Sequence, residues 1–226
     1  MKNTYRSIVF MTTLFTSLPS LAINVGEVTS IMLPTEASLA KEISNPTDAA
    51  RLVSLRVERI SSPMEGGVVI PMENKSELLS TPANMIMPGN SKENFRVFYN
   101  GPADDKERYY RLSWADEPVT DDNGTTTNKQ GQAMTSAIIN TILVVSPRKE
   151  RFDFVKKGNG VENTGNSSFR VIAFGPCKDK NKDTGQGCRE RYYVMPGESI
   201  KFQHVDFTQS KSRIGIWHGP KYINVN

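Results

Sequence analysis

Long hydrophobic runs are missing from this chain of 226 residues. So are most of the groups on which catalysis is built. The apolar stretch Ile8 to Phe15 falls far short of the ~20 residues a spanning helix needs, and nothing later is apolar enough to cross a bilayer, which argues against membrane insertion. Histidine is reduced to two residues, His204 and His218, with no helical metal spacing between them; each reads as surface or structural. There is no Gly-x-Ser-x-Gly elbow, no P-loop and no dinucleotide fingerprint. The acidic pairs Asp104-Asp105 and Asp121-Asp122 sit in turn-rich loops, and nothing selects two carboxylates for glycoside hydrolysis. No enzymatic activity and no cofactor are expected.

Oxygen ligands alternate at Asp179, Asn181 and Asp183, with Glu190 in the twelfth place of a calcium-type loop. Thr184 stands where that loop needs glycine, lysines crowd the segment, and Cys188 falls inside it. A solvated loop clipped by a disulfide explains these residues better, so no metal is expected.

The first residues form a leader. Lys2 and Arg6 supply positive charge, Ile8 to Phe15 the apolar core and Ser20-Leu21-Ala22 a small-residue cleavage site. Residues 1–22 are thus a signal peptide, and cleavage after Ala22 leaves Ile23 at the mature end. The formal charge of +4 includes Lys2 and Arg6, so the mature chain is only weakly basic and no nucleic-acid partner is expected. The two cysteines, Cys177 and Cys188, are an even pair in an exported chain and most often form a disulfide.

From Ile23 onward the pattern is strand and turn. Strands are predicted at Val25–Leu33, Leu39–Ile43 and Leu52–Ile60; in the last, Val53, Leu55 and Val57 alternate with Ser54, Arg56 and Glu58, as a half-buried strand requires. A short strand is read at Val68–Ile70. Pro82 interrupts Leu78–Met87, which suits an edge or a switch between sheets. Phe95–Tyr99 and Tyr109–Trp114 follow, then a polar loop, Asp116 to Gln132. Beyond Pro147 come Phe152–Val155, Phe169–Phe174, Tyr192–Met195, Ser199–Phe202 and Ile214–Trp217. Short strands at this spacing suggest β-sandwiches, with domains at residues 23–147 and 148–226.

The most informative stretch is Ala133 to Arg148. It carries no charge until Arg148 and no Gly or Pro until Pro147, and is dominated by Thr, Ile, Leu and Val. As a strand it has about twice the usual length. Apolar on both faces, it must be covered on both or held open for a partner.

Three segments resemble a known family. Tyr109-Tyr110-Arg111-Leu112-Ser113-Trp114-Ala115-Asp116-Glu117-Pro118, the run Ile142-Leu143-Val144-Val145-Ser146-Pro147-Arg148, and the pair Val161-Glu162-Asn163-Thr164-Gly165-Asn166 and Tyr193-Val194-Met195-Pro196-Gly197-Glu198-Ser199 are similar to periplasmic chaperones of the chaperone–usher pathway for bacterial pili. Arg59-Ile60-Ser61-Ser62-Pro63 and Tyr99-Asn100-Gly101-Pro102-Ala103-Asp104 bring the likeness nearest the Escherichia coli common pilus (Mat fimbria) type. The resemblance covers nearly all of the mature chain.

It implies an all-β protein of two immunoglobulin-like β-sandwich domains at an angle around a cleft. It further implies location in the periplasm and two partners, a pilus subunit capped by donor-strand complementation and an outer-membrane usher. Subunit-binding side chains on the long strand would be Ala133, Thr135, Ala137, Ile139, Thr141 and Leu143; a bulge would exchange that face for Met134, Ser136, Ile138 and Asn140. The commoner members anchor the subunit carboxylate with an Arg near the mature start and a Lys in this strand, and neither is here. Arg51, Arg148 and Lys149 are the substitutes considered, against a solvated role for each. The same sticky strand raises self-association when free of subunit. The competing reading is an exported pilus structural subunit or a two-domain surface adhesin, and the mature start Ile23-Asn24-Val25-Gly26 enters the fold too soon for a subunit's donor arm.

Overall fold

The computed structural model describes residues 22–119, 136–183 and 185–225; the leader reading lies almost entirely outside them. The chain is nearly all β. The first eight strands are β1 (Thr29–Met32), β2 (Ser38–Asn45), β3 (Arg51–Ile60), β4 (Leu78–Thr81), β5 (Asn84–Met87), β6 (Ser91–Tyr99), β7 (Arg108–Pro118) and β8 (Ala137–Val145). They form a five-stranded sheet, β1-β8-β7-β3-β5, and a three-stranded sheet, β2-β6-β4. Alternation fills the space between. Tyr110, Leu112 and Trp114 of β7 are fully buried, and Phe95 of β6 meets Trp114 edge-on at 5.3 Å between centroids.

The remaining strands are β9 (Phe154–Lys157), β10 (Gly160–Asn163), β11 (Phe169–Gly175), β12 (Cys188–Val194), β13 (Ser199–Lys201), β14 (Arg213–His218) and β15 (Lys221–Val225). They make the sheets β13-β10-β9 and β12-β11-β14-β15 around a second core with Phe169, Val171, Phe202 and Ile216. The expected disulfide, Cys177–Cys188, is present and ties β12 to the loop leaving β11. Each unit is a β-sandwich with its own core, as the sequence implied.

Some boundaries differ from expectation for local reasons. Pro82 does separate two sheets: β4 lies in one and β5 in the other. Val68–Ile70 is not a strand; only Val69 bridges to Ile60, because the run is too short to build a ladder. Strand β10 is expected only through the strand-turn likeness of Val161 to Asn166, because Gly160 and Asn163 resemble turn residues, and β15 is not expected, because Lys221 and Asn224 break up the apolar Tyr222, Ile223 and Val225. The carboxylate of Glu190 is taken up by the backbone N–H groups of Gln203, His204 and Val205, which leaves the calcium-like spacing without its twelfth ligand.

Candidate functional site

Strand β1 is shorter than Val25–Leu33, and its shortness creates the site. Asn24 exchanges two backbone hydrogen bonds with Ser44 of β2, so the first described residues lie against the smaller sheet. It then crosses to the larger one through Gly26, whose φ of +68° suits glycine. It joins β8 only where Val28 accepts from the Ile142 N–H, and pairs in parallel with residues 142–145. On its other side, β8 is paired with β7 from Ala137 to Val145. Among the described residues, nothing covers the β1 side of Ala137 to Thr141.

Strand alternation decides which groups this edge presents. The N–H groups of Ile142 and Ser146 point toward β1, so those of Ile138 and Asn140 point the same way, into the open edge. The side chains alternate too. Ala137 and Ile139 lie half-buried on the core-facing side, and Ile139 packs against the first core. Ile138 on the opposite face is 72% exposed. Thr141 and Leu143, further along the inner face, are wholly buried, and the Thr141 hydroxyl accepts from Trp114 Nε1 at 3.0 Å. These two side chains are engaged within their own domain. Ala133 and Thr135 lie outside the described residues.

The three basic residues considered for an anchor do not converge. Arg51 is buried and its Nε donates to Asp116 Oδ1 at 2.6 Å. Arg148 donates to the Leu33 and Pro34 carbonyls and lies over the Tyr99 ring at 4.8 Å, which secures the end of β1. Lys149 is exposed.

Sequence reading overlooked several charged groups that shape the site. Asp116 is fully buried, and its Oδ2 accepts the Ile23 N–H at 3.1 Å; it pairs directly with Ala137, the first residue of β8. Lys41 is buried beside the crossing segment, donating to the Glu27 carbonyl at 2.6 Å and Ser30 Oγ at 3.2 Å; burial lowers its pKa. Arg108 holds both oxygens of Asp104 and one of Glu73, and hydrogen bonding to this guanidinium keeps the Asp104 carboxyl well below the usual carboxylate range. Parity was the available signal. Asp116 continues the inward series Tyr110, Leu112, Trp114, and Lys41 the series that contains Ile43.

The two sandwiches meet through polar contacts. Glu107 Oε2 accepts from the Ser168 N–H at 2.7 Å and its hydroxyl at 3.1 Å, and burial raises the Glu107 pKa. Asn166 donates to the Asp105 and Lys149 carbonyls. Within the second unit, His218 stacks on Phe152 and meets Glu150 Oε1 at 2.9 Å. Between the units lies a cavity of about 370 Å³, walled by Ile31, Leu33 and Leu39 on one side and Arg170, Tyr193 and Trp217 on the other.

Comparison with known proteins agrees with this architecture. Residues 152–225 match the family model of the EcpB C-terminal domain. The chain is 44% identical over 208 residues, 92% of each sequence, to "Probable fimbrial chaperone EcpB" from an Escherichia coli O18:K1:H7 strain. In fold it is similar to the class 5 fimbriae chaperone CfaA, with a TM-score of 0.54 and 17% identity, covering 90% of this chain and 97% of that one. It is also similar to a chain in the structure of Salmonella enterica SafA pilin in complex with the SafB chaperone, with a TM-score of 0.50 and 17% identity, covering 88% and 91%.

Proposed function

The chain belongs to the fimbrial chaperone family, whose members are non-enzymatic assembly factors, and we propose that the open edge of β8 is the strand it lends to a pilus subunit. One observation carries this reading: β1 reaches β8 only at Ile142, so the backbone groups of Ile138 and Asn140 have no strand to pair with among the described residues. A subunit strand laid there would gain main-chain hydrogen bonds, while alternate side chains give specificity. Ala137 and Ile139 lie on the face continuous with the core, and with Ala133 and Thr135 they are the side chains offered to the subunit groove. Thr141 and Leu143 act from inside, fixing the register of the lent strand. Of the anchor candidates, Arg51 and Arg148 already have partners, which leaves Lys149 for the subunit carboxylate.

The chaperone works in the periplasm after its leader is removed at Ala22, with residues 23–147 and 148–226 as its two domains. It passes its subunit to an outer-membrane usher, and without a subunit the same edge supports self-association.

The test uses the direction of one N–H. Ile138→Pro removes a donor aimed at the open edge but none of the bonds to β7, so the fold tolerates it as edge strands tolerate proline. Tagged wild-type protein is expected to recover a small pilin from periplasm only when the neighbouring pilus operon is present. The Ile138→Pro protein is expected to melt normally and recover none. Equal recovery by a normally folded Ile138→Pro protein would refute strand lending at this edge.

A further inference from the structure

The outer face of the sheet β12-β11-β14-β15 carries a pattern that strand lending does not use. The register sets it in rows. Tyr193, Arg170, Trp217 and Tyr222 lie side by side, and in the far row Phe174 stands between Arg189 and Arg213. In the middle row Arg191 neighbours Ile172, then Gly215 and Asn224. The Tyr222 ring lies across Gly215, where any Cβ would clash, so glycine there keeps the face flat.

Four arginines therefore share this face with no aspartate or glutamate among its described strand positions. None of the four makes an ion pair among the described residues. The Arg170 guanidinium lies 5.8 Å from the Trp217 ring, and its Nε is buried without a hydrogen-bond partner. Glu27 and Glu36 face that end across the interdomain cavity. The other end is open: Arg189, Arg191 and Arg213 are exposed, and Phe174 and Tyr222 are 49% and 52% exposed. A shallow groove of about 330 Å³ runs among Ile172, Phe174, Arg189, Arg213 and Tyr222.

We infer that this face docks an extended acidic peptide segment of a protein partner. Charge complementarity selects an acidic ligand, and geometry selects an extended one. Arg189 and Arg191 are alternate residues of one strand, so they repeat at about 6.8 Å, the interval between alternate side chains of any extended chain. Planar guanidinium forks match carboxylates. The composition selects protein over a phosphate polyanion: arginine, tyrosine, tryptophan and phenylalanine are the residues of protein interface cores, and lysine, absent from these strand positions, is depleted there. The face is built wholly from strands of the second sandwich and uses no residue of the β8 edge, so the proposal stands whether or not strand lending is correct.

The experiment titrates the whole mature chain with a short peptide of alternating glutamate and threonine, following tryptophan fluorescence. Only Trp217 lies on this face; the other tryptophan, Trp114, is fully buried in the first sandwich. Saturable binding is expected, weakened by added salt. In an Arg189→Ser/Arg191→Ser protein it should fall by about tenfold, the loss of two exposed ion pairs, with melting unchanged. An Arg189→Lys/Arg191→Lys protein should bind between the two, because charge survives and the fork does not. The Ile138→Pro protein should bind as wild type. Absence of saturable binding, equal binding of the glutamine–threonine counterpart, or tighter binding of inorganic polyphosphate or anionic vesicles would each overturn the proposal.

Discussion

Removing the Asp116 carboxylate should cost the first sandwich more stability than any other single exchange of a polar residue near the open edge. Asp116 is 0% exposed and Arg51 only 6%, and they meet at 2.6 Å. Asp116→Ala strands the guanidinium in the core and also takes the acceptor from the Ile23 N–H. Breaking one partner of a buried pair typically costs about 3–5 kcal/mol. For a domain of this size that lowers the melting temperature by about 15 °C. Exchanging both partners for apolar residues, Arg51→Met with Asp116→Leu, removes the stranded charge and should recover most of the loss. The assay is thermal unfolding followed by Trp114 fluorescence in a Trp217→Phe background, so that the signal reports the first sandwich alone. A loss below about 1 kcal/mol for Asp116→Ala, the value of an exposed pair, would refute the buried-pair reasoning. So would a double variant no more stable than the single one.

The same carboxylate bears on maturation. If the leader is removed after Ala22 as proposed, the donor at Asp116 Oδ2 becomes an ammonium instead of an amide, and charge-assisted hydrogen bonds are about twice as strong. A chain beginning at Ile23 should therefore melt a few degrees above one retaining Ala22, and equal melting would count against it. Acid should act through Asp104 and Glu73, both held below their ordinary pKa by hydrogen bonds from Arg108. Their folded-state values lie below the unfolded ones, so their stabilisation is complete at neutral pH and is lost as pH falls below the ordinary carboxylate range. Asp104→Asn should flatten the melting temperature of the first sandwich between about pH 5 and pH 3, measured against wild type. Cys177 and Cys188 are 11 residues apart, and opening so short a loop should cost about 3 kcal/mol. A Cys177→Ser/Cys188→Ser protein should lose that in the second sandwich, read at Trp217, with the Trp114 transition unmoved.

The fold was legible wherever side chains alternate. Val53, Leu55 and Val57 were assigned to one face of a strand from sequence, and they do line the first core. Pro82 marked a change of sheet because proline cannot serve a central ladder. The site was legible only in part. Ile142 to Val145 announced a buried strand end, but the open half of β8 depends on where another segment stops pairing. That is set by a long-range event, the capture of Asn24 by Ser44 on the other sheet, for which the sequence offers only the glycine at position 26. Charges followed the same division. Arg51 is an anchor candidate by its sign alone, against a solvated role, whereas its role follows from parity: it and Asp116 occupy inward positions of adjacent strands in one sheet, two residues apart in register. An ionisable residue on the inward parity of a strand must be paired or it would not be tolerated. Applied to Asp116, Lys41 and Arg51 together, that rule locates the polar structure around the start of the open edge from strand parity alone. It also explains why none of the three is free to hold a subunit. Each already holds together the segment whose departure from β8 leaves the edge open.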